Sequence, residues 1–356
     1  MPSDGYKPIR GNIKVRGMKA PTFSRLLLLT LSFLPLTSVP LPGRAAEPTP
    51  AAVATDAGLF RPENLAAWCI VPFDKAKRSP EERATMLEKL GITQFVHDYR
   101  AEHVPQFEEE LIALKKHGIK LTGWMFPPAT DPKDPSKLHP NGLGTLDLFA
   151  RYGVHPQLWI IKGGQSIDPG SAEEQERRVS AEVNALRPVS AAARDRGLQV
   201  GLYNHGGWFG EPDNQIAIVE RLRKEGFDNV GIVYNQHHGH GHIERFTELM
   251  SRMRPYLICV NLNGMDLGGD TRGRKILPLG AGTEDVRLLS ILRKSGYQGP
   301  IGILNHTNED AEARLSDNLA GLRWLLPQLD GLPASTKPQY LSWREPEASE
   351  AQKTKP

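Results

Sequence analysis

Eight short apolar runs of β character, each followed by a helical pattern, constrain this chain more than any other feature. The runs fall at residues 65–73, 93–99, 120–126, 157–162, 199–204, 229–234, 256–262 and 300–304. Helical periodicity follows at 79–90, 104–117, 172–196, 214–225, 242–253, 283–295 and 310–326, and more weakly near 144–151. Ser79-Pro80-Glu81-Glu82 supplies a cap, an N1 proline and first-turn acids. Gly91, Gly118, Gly197, Gly226 and Gly296 stand just past helical runs, where chains commonly turn into the left-handed region. Eight strand–helix units in about 270 residues predict a closed parallel sheet, a single (β/α)8 TIM barrel over residues 59–332. No glycine-rich phosphate loop follows the first run, which argues against an open doubly wound sheet.

The two ends of the chain read differently. Lys14, Arg16, Lys19 and Arg25 precede an apolar run from 26 to 41, and Gly43-Arg44-Ala45-Ala46 follows. Basic, then apolar, then small is the order of a secretory signal peptide, so residues 1–46 read as an export leader, with Met18 as an alternative start. Ser32, Pro35, Thr37, Ser38 and Pro40 make the run a poor permanent membrane span. The expected location is periplasmic or secreted. Residues 47–58 read as a linker and 333–356 as a disordered polar tail. A formal charge of +3 over 356 residues, with no dense Lys/Arg stripe beyond the leader, gives nucleic acid no electrostatic footprint. Cys69 and Cys259 each lie in an apolar run and read as buried thiols, with neither disulfide framework nor zinc spacing. Nothing in the sequence speaks to oligomeric state.

Barrels of this kind build their working site at the C-terminal ends of the strands, so position alone is informative. Here those ends are crowded with hydrogen-bonding groups: His97-Asp98-Tyr99-Arg100, Lys162-Gly163-Gly164-Gln165, Tyr203-Asn204-His205-Gly206-Gly207-Trp208, Asn235-Gln236-His237-His238, Asn261 with Asn263, and Asn305-His306. Strand alternation turns Tyr203 and His205 inward opposite Val200 and Leu202, and Cys259, Asn261 and Asn263 inward opposite Ile258, Val260 and Leu262. The same count sends Lys162 and Asn235 inward. Trp208, after two glycines, suits a platform for a sugar face, whereas His240 and His242 read as a solvated loop. A flat ring beside amides and imidazoles suits a polyhydroxylated ligand. The expected substrate contacts are Arg100, Tyr203, Asn204, Trp208, Asn235, Asn261, Asn263, Asn305 and His306, around a small sugar or glycoside. Each also has a plainer role open to it, an amide satisfying loop backbone or a packed imidazole. Glu102 and Glu211 are the nearest loop carboxylates.

These motifs carry a resemblance. Gly201-Leu202-Tyr203-Asn204-His205-Gly206-Gly207, Val230-Gly231-Ile232-Val233-Tyr234-Asn235 with His238, Lys275-Ile276-Leu277-Pro278-Leu279-Gly280-Ala281-Gly282 and Gly299-Pro300-Ile301-Gly302-Ile303 resemble the xylose-isomerase-like barrels, the sugar phosphate isomerase/epimerase group. The resemblance implies a divalent metal held by a strand-five Glu, an Asp and a His around strand six, a strand-seven His and a strand-eight Glu. Position by position this chain has Tyr203, Asn235, His238, Asn261 and, at or beside the last, Asn305. Amides and a phenol lack the charge that holds Mg²⁺ or Mn²⁺, so no metal ligand is assigned and the cofactor stays open. Without a metal, enolisation beside a sugar carbonyl needs hydrogen-bond donors for the enolate oxygen and an imidazole or lysine to move the proton, with His205, His238 and Lys162 as the catalytic candidates. The expected function is an exported isomerase, epimerase or keto-glycoside lyase, with metal-independent proton abstraction open to it; a non-catalytic carbohydrate-binding barrel is the competing reading. A glycosidase needs a spaced carboxylate pair, and the rim offers none.

Overall fold

The computed structural model describes residues 58–345, apart from 128, 129, 135, 164, 165, 167 and 169. The leader, the linker up to residue 57, and residues 346–356 lie outside the described residues. Eight strands, β1 (Leu65–Trp68), β2 (Gln94–His97), β3 (Lys120–Met125), β4 (Gln157–Ile160), β5 (Val200–Tyr203), β6 (Val230–Asn235), β7 (Leu257–Leu262) and β8 (Ile301–Leu304), close into a barrel in chain order. Every neighbouring pair is parallel, and β8 seals against β1 from Leu65↔Ile301 to Trp68↔Leu304. Each strand lies within the run that anticipated it or reaches one residue past it. The first is cut short because Cys69 takes φ 61°, a left-handed conformation that ends the extended ladder.

The helices are α1 (Pro80–Lys89), α2 (Phe107–Lys116), α3 (Pro140–Tyr152), α4 (Ala172–Arg194), the one-turn α5 (Gly207–Gly210), α6 (Pro212–Lys224), α7 (Phe246–Met253), α8 (Asp285–Lys294) and α9 (Ala311–Leu329). Helix α1 begins with the full capping box, Ser79 and Glu82 each satisfying the other's backbone N–H. The five helix-end glycines all have φ between 66° and 86°. Helix α3 starts earlier than its periodicity suggested, because Pro140 and the His139 ring, which accepts from Asn141 N, cap it. Helix α7 starts later, at Phe246, since His240–His242 form a separate 3-10 turn.

Two apolar layers follow from strand alternation. Side chains such as Val200, Leu202, Ile232, Tyr234, Val260 and Leu262 pack outward against the helices. Ala66, Trp68, Val96, Trp159, Tyr203, Val233, Cys259 and Leu304 fill the barrel interior. Trp68 stands edge-on to Trp159 at 4.8 Å and to Tyr203 at 6.0 Å, and Trp159 stacks on Tyr203 at 5.9 Å. Those three rings form a dry floor beneath the barrel mouth, worth about 2 kcal/mol of burial apiece.

The expectation of a disordered tail is corrected for residues 333–345. They form no helix or strand, yet their polar groups find partners on the barrel. The Trp324 indole donates to Ser335 O (2.9 Å), Tyr340 OH to Leu279 O (2.8 Å), and the Leu341 and Ser342 amides to the buried Asp317 carboxylate (2.6 and 2.7 Å). Among the described residues no helix is long and apolar enough to cross a membrane.

Candidate functional site

The site rises from the aromatic floor through β5 and β6. Asn204 ties the two strands together, its amide donating to Asn235 O (3.1 Å) while its carbonyl accepts from Asn235 N (2.7 Å). That bond pattern fixes Asn235, whose own amide donates to the Tyr203 hydroxyl. Past Tyr203 the chain must reverse at once. Gly206 (φ 81°) and Gly207 (φ 63°) make that turn, leaving His205 exposed on the rim. The 3-10 turn Gln236–His238 brings two more imidazoles to the same mouth. The His205 and His238 rings lie 4.5 Å apart, His237 and His238 3.6 Å, and His237 and His306 5.5 Å. His306 in turn stacks on Phe73 at 3.7 Å, and Arg100 sits over the same Phe73 ring at 5.8 Å.

Four imidazoles in one partly dry space cannot all carry protons. Burial, then the charges of His205 and Lys275, holds His238 down to about 2. Burial, then Arg100, His205 and Lys275, holds His306 down to about 4. His237 is pushed well below the usual range by burial and by His238, and His205 is lowered by burial, Lys275 and Arg100. At neutral pH the mouth therefore presents neutral imidazoles, which can accept protons or donate hydrogen bonds. Asp98, buried at the end of β2, is pushed up to about 6 by burial against the pull of Arg100, to which it is bound at 2.5 Å.

The other expected site residues divide. Asn261 points inward as anticipated; its carbonyl lies 3.7 Å from the Cys259 thiol and its amide nitrogen has no partner among the described residues. Asn305 is fully buried with both amide atoms unpartnered among the described residues. Asn263 donates to Gly264 O (2.8 Å) and braces the loop after β7. Lys162 corrects the strand count. In β4, Gln157 and Trp159 turn inward, joined by an indole–amide bond of 3.0 Å, while Leu158 and Ile160 face the helices. Lys162 continues the outward set, pairs with Glu182 on α4 and lies 5.7 Å above the Phe209 ring. Trp208 is no platform either: it is fully buried in α5 and donates to Gln175 Oε1 at 2.6 Å. His240 and His242 are buried rather than solvated. The ring nitrogens of His240 reach Asp266 O (3.1 Å) and Lys275 O (2.9 Å); those of His242 reach Tyr234 OH (3.2 Å) and Glu211 (3.3 Å). Glu211 is thereby committed to His242 and Arg245.

Residues outside the expected set complete the mouth. Phe73 supplies the half-buried flat ring that Trp208 does not. Cys69 lies 3.9 Å from His306 Nδ1, its thiol pushed up by burial and by Asp98. Lys275 lies on the loop after β7, and its charge reaches all four rim imidazoles. The β-type run through residue 73 and the long β7–β8 connection were the available signals, but neither specified direction. A cavity of about 430 Å³, lined by Leu111, Leu114, Lys115, Lys120, Tyr152 and His155 among others, lies at the opposite strand ends, away from the imidazole cluster.

The donor set does not fit the divalent metal that the resemblance implies. Tyr203 is engaged with the Asn235 amide, Asn261 and Asn305 are neutral, and among the described residues Asp98, bound to Arg100, is the carboxylate buried at these strand ends. Among the described residues no three His, Cys, Asp or Glu side chains converge as a metal-holding group.

Comparison with known proteins agrees with this architecture. Residues 72–327 match the family model described as xylose isomerase-like TIM barrel. A search of curated protein sequences gave no match. Among solved structures, the apo 3-keto-D-glucoside 4-epimerase YcjR from E. coli shares 20% identity, covering 74% of this chain and 98% of its own at TM-score 0.54. The IolI protein with a bound zinc atom shares 16% identity over 75% of this chain and 99% of its own, at TM-score 0.56. D-Allulose 3-epimerase from Methylomonas sp. shares 13% over 74% and 97%, at TM-score 0.51. These likenesses extend the fold across most of both chains. With its closed eight-stranded barrel and a family match over most of its length, this chain belongs to the xylose isomerase-like TIM barrel family.

Proposed function

We propose that this chain is an exported sugar-modifying enzyme, an isomerase, epimerase or keto-glycoside lyase, that removes the proton beside a sugar carbonyl without a metal ion. The observation that carries this reading is the cluster of neutral imidazoles on one rim, with His205 exposed 4.5 Å from His238 over an aromatic floor. A base must hold a proton reasonably well to take one from carbon. His238, held down to about 2, is poorly suited to that task and serves better as a hydrogen-bonding partner. His205 is left as the base. Phe73, backed by His306, offers a flat face to a sugar ring, Arg100 lies over the same ring, and the Asn261 and Asn305 amides hold unspent donors among the described residues. The substrate class comes from the E. coli barrel, whose name specifies a 3-keto-D-glucoside. In such a sugar the C–H bonds flanking the ketone are the acidic ones.

The test is to follow methyl 3-keto-glucoside by proton NMR with chelator-treated protein. Epimerisation or elimination, lost in His205→Ala, is the expected result. Tight binding with no turnover in any keto-sugar would favour a carbohydrate-binding barrel instead. The leader at residues 1–46 supports export. N-terminal sequencing of the protein from outside the cytoplasm should begin near residue 47; an uncleaved chain confined to the cytoplasm would contradict it.

A further inference from the structure

We propose that Lys275 is the electrophile of this site, its ammonium taking up the negative charge that develops on the substrate's carbonyl oxygen. The inference rests on the enolisation reading above. Enolisation needs positive charge at the oxygen, and the metal positions of the family are here amides and a phenol. Lys162, the lysine expected to help, faces α4 and is paired with Glu182. Lys275 is the lysine the fold delivers to the mouth. It is exposed, and Nζ has neither hydrogen bond nor ion pair among the described residues. The next residue, Ile276, packs against the side chains filling the barrel interior, so the backbone of Lys275 borders the mouth, close enough for its charge to act on His205, His237, His238 and His306.

The loop that carries it is held from every side. His240 and Asn263 reach the Lys275 carbonyl at 2.9 and 3.4 Å, and Arg314 of α9 donates to Ile276 O at 3.1 Å. Arg274 is bound to Asp266 at 2.5 Å and also to Glu345. Gly264 N donates to Leu277 O (2.8 Å), and Leu279 N to Asn318 Oδ1 (2.9 Å). Asp285 at the start of α8 accepts from the amides of Met265 (2.7 Å), Gly280 (2.7 Å) and Gly282 (3.2 Å). The Leu277-Pro278-Leu279-Gly280 stretch and the docked C-terminal segment thus acquire a common purpose, holding the backbone that carries Lys275 while its unpaired ammonium stays available to a developing oxyanion.

The step balances without a co-reactant. His205 takes the proton from the carbon beside the ketone. The C–H electron pair becomes the new C=C bond, and the carbonyl π pair moves onto oxygen as the enolate held by Lys275. Delivery of a proton from water to the opposite face, with His205 releasing its own proton to solvent, gives the epimer; alternatively the enolate expels a β-substituent, whose oxygen leaves with the bond pair and takes the proton from His205, giving the lyase product.

The test uses the mature full-length chain with Lys275→Met and Lys275→Arg. Proton NMR titration should show His205 and His306 titrating at higher pH in Lys275→Met, because a nearby cation has gone; unchanged titrations would overturn the placement. On the keto-glucoside, Lys275→Met should lower kcat by about 10²–10³-fold while Lys275→Arg keeps a tenth or more, and a kcat within about threefold of wild type in Lys275→Met would overturn the proposal. Absence of turnover in the wild type would instead sink the enolisation reading. In that event calorimetric titration with oxalate, a planar dianion, decides Lys275 separately: weakening by about tenfold or more in Lys275→Met supports an oxyanion site, and equal affinity contradicts it.

Discussion

One six-residue stretch, His237 to His242, contains four histidines with two fates. His237 and His238 face the barrel mouth, where His237 Nδ1 has no partner and burial among like groups keeps both rings neutral. His240 and His242, three and five residues beyond His237, spend both ring nitrogens on Asp266, Lys275, Tyr234 and Glu211. The first pair belongs to a cluster that can exchange hydrogen bonds with a ligand; the second pair is mortar for the loop around it. Residue type is the same in both, and the two pairs lie within one short stretch. What separates them is whether the fold has already consumed their donors and acceptors.

The comparison can be broken at its strongest point first. Changing His205 in the rim cluster to Ala should lower turnover of a keto-sugar by about 10²–10⁴-fold, with an unchanged thermal midpoint. His240→Ala should do the reverse, costing about 1 kcal/mol in urea denaturation because the Asp266 and Lys275 carbonyls each lose one of two partners. Any loss of turnover there should follow loosening of the Lys275 loop. Acid sharpens the same contrast. Burial holds His306 down to about 4 in the folded chain against an ordinary 6.5, so the unfolded chain takes the proton first. Stability is intact above pH 6.5 and falls as the pH drops toward 4, with His238, held lower still, contributing across the same range and continuing the loss below it. A fall of about 5 °C in Tm across that window is expected, and replacing His306 by Phe should shrink it. The smallest effect belongs to Lys162→Met, which removes a partly exposed ion pair: below about 1 kcal/mol in stability and less than about twofold in turnover.

Much of this fold could be read from the chain because alternation is a local signal. Apolar runs and capping residues located every strand, and the parity of Val200–Leu202 and Val260–Leu262 turned Tyr203, Asn235 and Asn261 the right way. The β4 register escaped that reasoning, since Gln157 and Trp159 bond to each other inside the barrel and leave Lys162 with the helix-facing set. Trp208 followed two glycines, as a loop platform would, but α5 folds it back under Arg178 and against Gln175. Cys69 reaches the mouth through a positive φ that no periodicity announces. Lys275 stands in a connection without regular structure, placed by contacts from α8, α9 and residues near 340, all distant in sequence. Local pattern located the rim; long-range hydrogen bonding chose which of its residues are available.

The central claim is that neutral imidazole, rather than a metal-bound water or carboxylate, moves a proton at carbon in this barrel. Chelator-treated protein incubated with methyl 3-keto-glucoside in D₂O, and watched by NMR for loss of the C–H signals beside the ketone, tests it most directly. The account predicts deuterium incorporation that persists in chelator and disappears in His205→Ala. Exchange that stops when metal is removed, or that survives in His205→Ala, would contradict it.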